Sequence, residues 1–139
     1  MKSKKIDNVY FLRFEKGEEF INELKEFCTK EKIQAGFFNG LGAVDDVDLG
    51  LYDTSEKKYY AKTLKEMFEV TSLHGNISTM KGETYLHAHA CVSNKELQTF
   101  GGHLSRAVVS ATLEVVVYPA NGKIDRFFNE DIGLNFFKF

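Results

Sequence analysis

Only one stretch of this chain spaces its apolar residues like a helix, which leaves strands to build almost everything else. Phe20, Ile21, Leu24, Phe27 and Cys28 form one stripe on a helix from about Glu18 to Glu31, with Glu and Lys on its other face. Elsewhere the period shortens. Asn8–Glu15 is rich in aromatic and branched residues and reads as a first strand, turned at Lys16-Gly17. Gln34–Leu41 reads as a buried strand ending in glycines, and Val47, Leu49 and Leu51 then alternate with Asp48, Gly50 and Tyr52. Further strands are expected over 59–64, 66–73, 84–92, 107–118 and 123–128, with Asn121-Gly122 after Pro119 as a hairpin signal. Many strands around one helix argue for an α+β fold, a twisted and mostly antiparallel sheet packed with one main helix. Thirteen Phe and six Tyr, with no Trp, suit such an aromatic-filled core. The 139 residues fit a single domain, 1–139, with no linker, repeat or low-complexity segment.

Charge and cysteines narrow the function. A net charge of −2 and a pI of about 6.1 predict no general attraction to nucleic acid. Lys2, Lys4 and Lys5 read as a frayed, solvated terminus. Cys28 belongs to the helix stripe and is expected in the core, and Cys28 and Cys91 make no disulfide framework. The apolar run Val9–Leu12 is cut short by Arg13, so neither a signal peptide nor a membrane span is read, and the cytoplasm is the expected compartment. The apolar end, Phe136, Phe137 and Phe139, is expected to pack on the sheet or on another subunit.

The chemistry concentrates in Thr84–Val92 (TYLHAHACV). On a strand, Leu86, Ala88, Ala90 and Val92 share an apolar face, and Tyr85, His87, His89 and Cys91 share the other. Residues two apart on a strand lie about 7 Å apart, within reach of one metal ion for two imidazoles. His103 follows two glycines, which would let the backbone approach closely, and is the candidate third ligand. Three histidines with an open fourth position is a known catalytic zinc arrangement. The plainer alternative is a pair of half-exposed polar residues. Cys91 has the parity of a fourth ligand but reads better as a small packed residue, and His74 reads as a loop residue. Glu114 stands out within the apolar run Ala111–Tyr118. It is either exposed or paired with Arg13, Arg106 or a metal-bound histidine, and in the latter case is a candidate general base. Asp45, Asp46 and Asp48 lack calcium-loop spacing and read as a solvated turn, and Gly36, Gly40 and Gly42 do not make a dinucleotide loop.

Five pieces in order, Gly40-Leu41-Gly42-Ala43, Phe68–Ser78, Leu86–His89, Gly101–Leu104 and Ala111–Val115, resemble the PPC (plants and prokaryotes conserved) domain family, in its stand-alone prokaryotic form, over roughly residues 8–137. The resemblance implies a twisted antiparallel sheet flanked by a helix, a homotrimer, and a divalent metal, zinc above all, at the positions of His87, His89 and His103. The family is described as DNA-binding, chiefly for plant members with AT-hooks. This chain has no Arg-Gly-Arg-Pro core and a single proline, Pro119, which argues against direct DNA binding. Three functions compete: a metal-containing trimer with a regulatory or assembly role, a zinc-dependent enzyme acting on a small molecule, and a DNA-associated regulator.

Overall fold

A computed structural model describes residues 1–139. The apolar stripe folds as helix α1 (Phe20–Lys30), two residues shorter at its start than the spacing predicts. The reason is Glu19, whose backbone stays extended. Its carboxylate accepts hydrogen bonds from the Ile21 and Asn22 amides, capping the helix where negative charge also suits the dipole. The same carboxylate accepts from the Ala107 amide at 2.9 Å, so the cap also pins the helix to the sheet. Phe20, Leu24, Phe27 and Cys28 are buried, as the stripe requires, and burial pushes the Cys28 thiol up to about 12.

Nine strands form one sheet: β1 (Lys2–Ile6), β2 (Val9–Glu15), β3 (Gly36–Asp53), β4 (Lys58–Leu64), β5 (Phe68–Met80), β6 (Glu83–Ser93), β7 (Thr99–Pro119), β8 (Asp125–Asn129) and β9 (Leu134–Lys138). All pairings between neighbouring strands are antiparallel except one, where β8 meets β5 at Asp125 and Thr79. Strand β3 pairs β5, β5 pairs β6, β6 pairs β7 and β7 pairs β3, so four strands close a ring of pairings. Val44, Leu73, Val92 and Leu104 are buried there, continuous with the core beneath α1. Tyr10, Phe14 and Phe38 meet the helix, with Phe20 edge-on to Phe14 at 5.2 Å and to Phe38 at 5.9 Å.

Several local expectations need correction. The lysine-rich start is strand β1, paired residue for residue with β2. The glycines that read as a strand end lie inside β3, which continues through a register shift between Gly40 and Gly42. A Cβ at Gly42 would run into the backbone of Thr112 and Leu113, so the bulge has room only for glycine. Asn121-Gly122 turns the chain but makes no hairpin with β7; β8 pairs instead with β9, which holds the aromatic C-terminus. His74 lies within β5, not in a loop.

The acidic run is strand as well. Asp46 receives both Arg106 terminal nitrogens, at 2.7 and 3.0 Å, across the β3–β7 pairing, with Lys65 at 3.6 Å. The Arg106 guanidinium holds the Asp46 carboxyl below the usual aspartate value. A depressed carboxyl stabilises the fold above its unfolded pKa of about 3.8 and loses that contribution as pH falls through its folded value. Urea melts should therefore show Asp46→Asn less stable than wild type at neutral pH, with the two converging in acid. A constant gap down to the acid limit would remove the pair from the account.

Candidate metal centre

Alternation along β6 does what its sequence requires. Ala88, Ala90 and Val92 are buried on the helix side, and His87, His89 and Cys91 point to the other face. Strand β7 lies alongside, with His103 directly opposite His89. Gly102 permits that alignment: a Cβ there would sit 2.6 Å from the Gly50 carbonyl oxygen of β3, which also pairs with β7 at His103. Two strands thus present three imidazoles at one spot. Their candidate ligand nitrogens all lie within 4.8 Å of one another, and the Nε2 atoms of His87 and His89 are 3.2 Å apart. Ring centroids are separated by 5.0, 5.2 and 5.5 Å.

The protonation states leave nitrogens available for coordination. Burial lowers the pKa of His87 to about 4, helped by the neighbouring His103, His89 and Arg126. Burial also lowers His103, with His89 adding to the effect. Both rings are therefore neutral at pH 7, with lone pairs free to coordinate. Zinc binds imidazole nitrogen at about 2.0–2.1 Å, and tetrahedral geometry then spaces its nitrogens about 3.3 Å apart. The His87–His89 separation matches that edge, so the residues present fit the ion that the family resemblance implies.

The triad opens onto a cavity of about 880 Å³, walled by Tyr52, Tyr59 and Tyr85, by Phe136 and Phe137 of β9, and by Phe139 just after it. Tyr59 stands edge-on to His103 at 6.0 Å. Arg126 of β8 also lines this cavity, and nothing in the sequence marked it. Its only local signal is a cation just before Phe127 and Phe128, and its partners Tyr85 and Asn135 come from β6 and β9.

The remaining candidates lie elsewhere. Glu114 is exposed on β7, in register with Arg13 and Leu41. It lines a separate cavity of about 950 Å³ with Lys2, Lys4, Arg13 and His74, none of which belongs to the triad. Arg13 bonds Glu15 and Arg106 bonds Asp46, so neither takes the Glu114 carboxylate. Cys91 is exposed, facing Gly101 across the β6–β7 pairing and outside the ligand cluster. The His74 ring lies 6.4 Å from that of His89.

Comparison with known proteins follows the same lines. A Bacteroides thetaiotaomicron protein of known crystal structure, provisionally named DNA-binding, is 35% identical and superposes with a TM-score of 0.97 over 99% of this chain and 96% of its own. A metal-containing protein from Archaeoglobus fulgidus is 31% identical, with a TM-score of 0.89 over 96% of this chain and 95% of its own. Among curated proteins, the bifunctional protein GlmU of Synechococcus sp. (strain JA-3-3Ab) is 30% identical over 111 residues, 78% of this chain. The chain spans only 17% of that relative's length. No helix is long and apolar enough to cross a membrane. Residues 1–121 match the model of the Plants and Prokaryotes Conserved (PCC) domain, the family that the sequence resembles, and the chain belongs to that family.

Proposed function

We propose that this protein is a homotrimeric module that holds a divalent metal, zinc, through His87, His89 and His103, and that serves a regulatory or assembly role by presenting the ion to a small molecule. The convergence of three imidazoles at the mouth of a walled cavity carries the reading. An all-nitrogen donor set supports zinc over calcium or magnesium, which take oxygen ligands. The metal-containing relative from Archaeoglobus supports a bound ion. Metal analysis of protein purified without a histidine tag tests it: about one ion per chain is expected, and wild-type protein that takes up no zinc on titration overturns it.

A second reading, a zinc-dependent enzyme, is favoured by one observation: only three protein ligands converge, and the fourth side faces a cavity of about 880 Å³. A bound ion there would supply Lewis acidity. The chain's own residues would exclude water with the aromatic walls and orient the substrate. Glu114, in the other cavity, has no part in this.

The trimer draws its support from the sheet face away from α1, where Phe11, Phe37 and Leu41 are exposed in register with Val116, Tyr118 and Glu114. Phe37 and Tyr118 stack there at 4.5 Å. Light scattering should give a mass near three times 15.8 kDa, and Leu41→Asp should release folded monomers. A monomeric wild type ends the trimer reading. The two free cysteines support the cytoplasm as compartment. A net charge of −2 offers little to a phosphate backbone, which argues against direct DNA binding. Tight binding with a steep salt dependence would restore it.

A further inference from the structure

Arg126 is a buried cation with no acid beside it. It is 8% exposed, and no carboxylate lies within 4.0 Å of its guanidinium. Its guanidinium carbon lies 4.2 Å from the Phe137 ring centroid and 5.0 Å from that of Tyr85. Nε donates to the Ser78 hydroxyl and Nη1 to the Asn135 carbonyl oxygen, both at 2.8 Å. Two of its five N–H donors are thus spoken for, and the rest of the fork has no protein acceptor. A purely structural staple between β5 and β9 would need only those two donors and no charge. Desolvating a charge without a partner is costly, and stacking on aromatics offsets only part of that cost. An anion from outside the chain would supply the missing partner.

The surroundings describe that anion. Arg126 lines the same cavity as His87 and His103. The volume, about 880 Å³, is that of a small-molecule site, and six Phe and Tyr side chains help to wall it. A planar fork matches a planar carboxylate in two parallel bonds.

We infer that the cavity is a binding site for a small monocarboxylate with an apolar body, its carboxylate held by Arg126 and its body lying against Phe136, Phe137 and Tyr59. The inference rests on the proposed metal site only for the ligand's second polar group, which would face the histidines. The family model ends at residue 121, so the triad and Tyr59 lie within the family's span, and Arg126 and the phenylalanine wall lie beyond it.

The test is calorimetric titration of the full-length, zinc-loaded protein with 4-phenylbutyrate and hexanoate, each against its neutral amide. The acids should bind saturably and the amides about tenfold more weakly or worse, the loss of a charge-assisted pair. Arg126→Lys should reduce the preference and Arg126→Met should abolish it, with circular dichroism confirming the fold. If neither variant folds, the acid-against-amide comparison on wild type decides. Equal binding of acid and amide, no binding of either, or an undiminished preference in Arg126→Met overturns the inference. Repeating the titration after chelation separates the two readings. A preference that survives in metal-free protein upholds the Arg126 site even if no zinc is ever bound. A preference that vanishes with the metal and ignores Arg126 places the carboxylate on the ion, sinking this inference and sparing the metal centre.

Discussion

His89→Ala should yield a folded protein that no longer retains metal. His89 is exposed and belongs to the face of β6 away from the core, so truncating it opens no cavity beneath the sheet. The neighbouring Ala88 and Ala90 carry the packing and are untouched. What changes is the donor set, which drops from three imidazoles to two on different strands. Losing a residue that merely supports a ligand costs about 10–100-fold in affinity, and losing the ligand itself should cost more. After dialysis, elemental analysis should find about one zinc per wild-type chain and almost none in the variant. Zinc should also raise wild-type stability by about 2.7 kcal/mol at a free concentration a hundredfold above Kd, and leave His89→Ala unmoved. Glu114→Gln, a change in the other cavity, should keep its metal. Retention of zinc by His89→Ala would disprove the centre as described.

The largest loss of stability should come from Phe20→Ala. Phe20 is fully buried at the start of α1, edge-on to both Phe14 and Phe38, and so joins the helix to two strands. Truncation removes a ring that no neighbour can replace, which typically costs about 3–5 kcal/mol. Against a total of about 5–15 kcal/mol for a domain, that brings the protein near its unfolding threshold. Urea denaturation at fixed protein concentration should show a much lower midpoint with an unchanged slope. A loss below about 1 kcal/mol would mean that the helix is not anchored where the structure places it.

Much of this was legible in the chain before folding, for identifiable reasons. The helix could be read because Phe20, Leu24, Phe27 and Cys28 must share one face. The orientation of His87 and His89 could be read because side chains on a strand alternate. Their meeting with His103 was legible only through the family resemblance, since it depends on β6 and β7 pairing in one register rather than one shifted by a residue. Strand β1 escaped because every residue in it is exposed, so its order comes from backbone pairing with β2 and leaves no apolar pattern. The unbroken length of β3 escaped because Gly40 and Gly42, read as an ending, are where the strand bends. Arg126 escaped for a related reason: a buried charge is visible only through its neighbours, and Tyr85 and Phe137 are far from it in the chain.

The lysines of β1 gain a different meaning once the sheet is drawn. Strands β1, β4 and β9 each pair on one side only, and each carries lysine: Lys2, Lys4 and Lys5 on the first, Lys58 and Lys62 on the second, Lys138 on the third. A strand arriving from another molecule would have to bury these ammonium groups or align its own against them, and both are unfavourable. A chain this rich in strand would otherwise be prone to open-ended fibril growth. With its free edges guarded by charge, it offers other copies a face to pack against and no ladder to extend.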